Sequence, residues 1–272
     1  MPVYDGVTQL DFTGPHQFLS RTPDVHVRVA SLGGRAITAD RLTFSNLDDL
    51  ATIKSCDVLL VPGGGCIAAI ENDLFLTEIV RLGATARYLT SVCSGSLILG
   101  AAGFLTGRRA ACHWAWRDLL PVFGAIVDDG RIVKDGNILS GGGVTAGIDF
   151  VLALIAELRG RRVAEMVQLG LEYAPQPPFT SGRPDTAPTE VLEAVNARMG
   201  PGRAERRARL DAWASAHRVG EHARGAKHGR ATAFSAPHRY AGRRMVGPGS
   251  RNAVGPGEAH KLSCLSQPWS EM

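Results

Sequence analysis

YLTSVCSGSLILGAAG, residues 88–103, passes within a few positions from a β-favouring run to an apolar helical one, and Cys93-Ser94-Gly95 is the seam. Tyr, Thr and Val favour extended backbone before it. Small residues on both sides (Ser91, Ser94, Gly95, Ser96) let the chain turn sharply there, as it does where an α/β sheet presents a nucleophile at a strand end. A cysteine at that point is expected to project toward solvent with a helix N-terminus behind it. That location lowers a thiol pKa and raises the thiolate fraction. The bland alternative is a buried, inert thiol; the run of small residues favours the elbow.

Working outward, VHVRVASLG (25–33), DVLLVPGGG (57–65) and RIVKDGNILSGGG (131–143) read as β-rich runs. AAIENDLFLTEIVRLGA (68–84) and GIDFVLALIAELRG (147–160) read as helices. This alternation predicts right-handed βαβ crossovers and a flavodoxin-like, doubly wound, mostly parallel sheet with helices on both faces. In such sheets ligands bind at the carboxyl ends of the strands. Three segments converge there: residues 9–15, the PGGG turn at 62–65, and Cys93. Only Pro2, Val3 and Tyr4 precede the Asp5-Gly6 turn signal, so the first strand looks truncated beside the ~5 residues usual for a strand.

The chain has 272 residues, 44% hydrophobic and 21% charged, ordinary values for a globular protein with a sizeable core. Its apolar runs are far short of the ~20 residues of a membrane span and no signal pattern opens it, so a cytoplasmic protein is expected. Five cysteines without a C-x-x-C pair suggest reduced thiols, with neither a disulfide framework nor a metal site. The net charge of +4 divides unevenly: residues 203–272 hold 13 Lys/Arg against 5 Asp/Glu, which leaves the rest mildly acidic. Nucleic-acid binding is therefore not expected of the folded part. We read residues 1–202 as one α/β domain and 203–272 as a basic extension, a helix over 203–217 and disorder beyond it.

Two further features carry chemistry. The glycines of the PGGG turn let backbone N–H groups approach a ligand, so Gly64, paired with the Ser94 N–H, can form an oxyanion-hole-like donor pair, with Gly65 beside it against the substrate. The turn is not a phosphate loop, because no Gly-Lys-Ser/Thr follows. Asp11, in TQLDFTGP, stands where the first strand gives way to a helix. Taken alone it reads as an ordinary helix-start residue.

The segments QLDFTGP (9–15), LLVPGGG (59–65), TSVCSGSLILGAAGFLTGRRAACHW (90–114), LSGGGVTAGIDF (139–150) and LEYAPQPPFTSGRPDTAP (171–188) resemble the ThiJ/PfpI superfamily and, within it, the isonitrile (isocyanide) hydratase branch. The resemblance spans about 9–190. It implies Cys93 as nucleophile, Asp11 as the acid/base group hydrogen-bonded to it, and the hydroxyl of Ser94, where the family usually has Thr, as an aid to Asp11. It further implies hydration of a small-molecule isocyanide to an N-substituted formamide without a cofactor, in a homodimer. His113 is a pocket residue that could also stand near the thiol as a base. Two rivals remain: a ligand-sensing domain of an arabinose-regulator-type transcription factor, whose two helix-turn-helix units the tail does not supply, and a glyoxalase or stress-response relative, which would more naturally carry Glu in place of Asp11.

Overall fold

Residues 1–217 are described by the structure, a computed structural model. In chain order they form α1 (Gln9–Leu19), β1 (Ala30–Ser31), β2 (Ile37–Ala39), β3 (Leu42–Phe44), β4 (Asp48–Asp49), β5 (Val58–Val61), α2 (Cys66–Ile70), α3 (Asp73–Gly83), β6 (Tyr88–Val92) and α4 (Gly95–Ala101). There follow β7 (Arg109–Ala110), β8 (Ile126–Val127), β9 (Ile132–Asp135), β10 (Ile138–Gly141), α5 (Ala146–Arg159), α6 (Arg161–Gly170), α7 (Thr189–Met199) and α8 (Arg203–Ala216).

The central sheet has the order β5-β6-β10-β9. β5 and β10 run parallel to β6, with Leu59 opposite Leu89 and Leu139 opposite Thr90. β9 pairs antiparallel to β10, with Ile138 opposite Asp135. Because side chains alternate along a strand, Leu59 and Val61 enter one apolar core with Ile70, Phe75 and Leu97, while Leu60 enters the other with Phe18, Phe150 and Leu154. Helices thus cover both faces, as the alternation predicts.

Local differences from the sequence reading have local causes. The 131–143 run is a hairpin rather than a single strand, reversed at Gly136 with φ +61°, a conformation open to glycine. The 68–84 helix splits where the Asn72 side chain accepts the Phe75 N–H at 3.1 Å and starts α3 anew. Of 25–33 only Ala30–Ser31 is strand, paired in parallel with β4. The N-terminal segment lies beside it through one bridge, Pro2 to Ala30.

α8 lays Leu210 and Trp213 into the core, Trp213 edge-on to Phe123 at 6.0 Å, whereas α7 buries no residue. Residues 218–272, on which the expectation of disorder falls, lie outside the described part. Among the described residues no helix is long and apolar enough to cross a membrane.

Candidate active site

β6 is buried from Leu89 to Val92, and the chain then reverses through Cys93 into α4. Cys93 has φ +59°, a left-handed conformation that non-glycine residues seldom adopt and that persists only where surroundings enforce it. They do so here: the Cys93 N–H donates to Gly141 O at 3.0 Å, and its carbonyl accepts the His113 N–H at 3.4 Å. Gly95 is required at the next turn, since a Cβ there would run into the Val61 carbonyl. Gly95→Ala is expected to cost ~1–3 kcal/mol through overpacking at the elbow. Denaturant melts check this; an unchanged midpoint would show that the elbow yields.

Asp11 sits in the first turn of α1 and is fully buried. Its Oδ2 accepts the Gly63 N–H at 2.9 Å, and Oδ1 has no hydrogen-bond partner among the described residues. Burial pushes the carboxyl up to about 7, against the Gly63 N–H and the neighbouring Cys93 thiol, which pull it down. Oδ1 is therefore the carboxyl oxygen left to carry a proton at neutral pH.

The thiol differs from expectation. Cys93 is 5% exposed, and burial, together with the Asp11 carboxylate, holds it well above the usual cysteine range; the Ser94 N–H, which favours the thiolate, does not offset them. A helix start favours the thiolate, but removal from water disfavours any charge and here outweighs it. The thiol and the acid form a pair that resists losing its last proton.

The PGGG turn also differs. The Gly64 N–H donates to Ser94 Oγ at 2.9 Å and the Gly65 N–H to Gly6 O at 2.7 Å, so neither is a free oxyanion donor. The Ser94 hydroxyl donates to Gly64 O at 3.3 Å and so joins the turn, while Asp11 is held by Gly63 next door. A Cβ on Gly63 would fall 2.6 Å from Ser94 Oγ and 3.0 Å from Asp11 Oδ2, so glycine there lets acid and hydroxyl close on the one turn.

His113 is half-buried, and burial holds its pKa below the usual range. Its Nδ1 accepts the Ala115 N–H at 3.2 Å, which leaves the neutral ring with its proton on Nε2, a donor rather than a base.

Tyr4 was not legible as a site residue. Its hydroxyl reaches Pro62 O at 3.1 Å and Gly63 O at 3.0 Å, from within a segment that reads only as a strand. A cavity of about 300 Å³ opens against Tyr4, between Leu32, Arg35, Asn72 and Phe75; neither Asp11 nor Cys93 lines it. Among the described residues no cluster of three or more His, Cys, Asp or Glu is placed to hold a metal ion.

The chain is similar to several known proteins. An isonitrile hydratase from Pseudomonas putida is 47% identical over 203 residues, 73% of this chain and 88% of that protein. The HTH-type transcriptional regulator CdhR of Pseudomonas aeruginosa is 31% identical over 142 residues, 50% of this chain and 41% of that protein. A crystal structure of a ThiJ/PfpI family protein from Pseudomonas syringae superposes with a TM-score of 0.74 at 41% identity, covering 79% of this chain and 88% of the other. The DJ-1/PfpI family pattern matches residues 1–157, from the N-terminal segment through the acid, the glycine turn and the elbow into α5, and the chain belongs to the DJ-1/PfpI family.

Proposed function

We propose that this chain hydrates an isocyanide, R–N≡C, to the N-substituted formamide R–NH–CHO, with Cys93 as nucleophile and Asp11 as acid/base. The observation that supports it is a buried carboxyl, pushed up to about 7, beside a thiol on a strained elbow. The substrate class comes from the 47%-identical relative, an isonitrile hydratase.

The Cys93 sulfur attacks the terminal carbon, and the proton the pair holds passes from Asp11 to that carbon, giving the thioimidate R–N=CH–S–Cys93. Asp11, now a carboxylate, takes a proton from water as the water oxygen adds to the same carbon, and passes that proton to the nitrogen. The C–S bond then breaks as the new hydroxyl gives its proton to sulfur, and R–NH–CHO leaves with the pair again holding one proton. Only the isocyanide and water are consumed.

The first step builds charge on carbon, and a proton neutralises it. Engaged donors at Gly64 and Gly65 fit that demand better than an acyl transfer, which needs an oxyanion hole. The same reading extends to a small-molecule substrate bound by a homodimer in the cytoplasm.

Turnover of a panel of isocyanides, methylglyoxal and peptides tests it. Formamides are expected from the isocyanides, with the rate rising through pH about 7 as the pair drops from two protons to one. Turnover of methylglyoxal or peptides alone would replace the reading with a glyoxalase or protease.

A further inference from the structure

The PGGG turn touches both working side chains, through Gly63 to Asp11 and through Gly64 to Ser94. What holds the turn therefore sets the site. Two of its carbonyls, Pro62 O and Gly63 O, face the Tyr4 hydroxyl, and the second also accepts the Thr8 N–H at 3.0 Å. The phenol ring is buried and packs edge-on against Phe75 at 5.3 Å, so it cannot swing away without leaving the core.

We propose that Tyr4 is a positioning residue for this site: its hydroxyl clamps the Pro62-Gly63 peptide, which aims the Gly63 N–H at Asp11 and fixes the proton the carboxyl holds. The proposal rests on the assignment of Cys93 and Asp11 as the reacting pair. Tyr4 touches neither substrate nor the reacting atoms in this scheme. Its effect passes through one peptide, whose carbonyl the phenol binds and whose N–H donates to the acid.

Among the described residues, the charged and titratable groups around Asp11 are few. Cys93 faces it from the elbow, Tyr4 from the N-terminal segment and Asp40 from the turn between β2 and β3, while Cys66 of α2 lies near Tyr4. None of them is a cation, so the Gly63 N–H is the strongest influence favouring the carboxylate. Loosening that donor must raise the Asp11 pKa further.

Tyr4→Phe keeps the ring and removes the clamp. The pH dependence of Cys93 alkylation by iodoacetamide, read at that cysteine by peptide mass spectrometry, reports the pair without any isocyanide. The expected result is a midpoint displaced upward by roughly half a unit or more. Isocyanide turnover should fall by roughly tenfold in kcat with KM little changed. Fluorotyrosine inserted at position 4, a stronger hydrogen-bond donor, should move the midpoint downward, which keeps the test open if Tyr4→Phe does not fold. Midpoints that coincide for wild type and both variants would overturn the clamp. Absence of isocyanide turnover in the wild type would instead sink the proposed reaction, with the alkylation result still judging Tyr4.

Discussion

Cys93→Ser should abolish isocyanide hydration while the fold survives. A serine hydroxyl is far harder to ionise than a thiol, and the one carboxyl beside it, though pushed up to about 7, is far too weak a base to ionise it. Asp11→Asn keeps the shape and the acceptor for the Gly63 N–H but cannot exchange a proton. Its turnover should fall ~10²–10⁴-fold, and the rise through neutral pH should vanish with it. His113→Ala should cost much less than either, because its Nδ1 is already engaged by Ala115. Rates for the three variants, each shown folded by circular dichroism, decide the matter. A crippled His113→Ala beside an active Asp11→Asn would replace this mechanism with a Cys–His one.

Asp11→Asn should also stabilise the protein at neutral pH. The carboxyl ionises at about 7 when folded and near ~3.9 in an unfolded chain, so between those values the folded state binds the extra proton. Stability contributed by the protonated acid is complete below ~4 and is lost as pH rises through about 7. Across that window the loss amounts to on the order of 4 kcal/mol by pH ~8. The asparagine does not titrate and escapes the loss. Melting curves of the two proteins should meet near pH ~4 and separate toward pH ~8, with the variant ahead by roughly 10 °C. A wild type that melts higher at pH ~8 would mean that Asp11 ionises without penalty.

The elbow could be read from residues because its signal is local: β-formers, a cysteine, small residues, then apolar helix. Both faces of the sheet were legible in the same way, from periodicity. Directions were not. Gly64 has φ +111°, which turns its N–H toward Ser94 Oγ, and no pattern of glycines says where a peptide in that conformation points. The thiol's ionisation is not legible in the sequence, because helix-start effects show there whereas the burial that outweighs them belongs to the assembled core. Tyr4 escaped notice because its partners lie 58 and 59 residues away. Leu210 and Trp213, three apart on α8, were a signal present but outweighed by the basic composition around them.

The bonds that close the site join segments far apart in the chain: Gly63 to Asp11 across 52 residues and Gly64 to Ser94 across 30. Contacts of such separation form only after the intervening loops have given up their freedom, late on the route to the native state. Under the proposed mechanism, a chain halted earlier would have its elbow cysteine but no acid to feed it a proton. On that scheme each molecule would be either competent or silent, and the specific activity of a preparation would count its completed molecules.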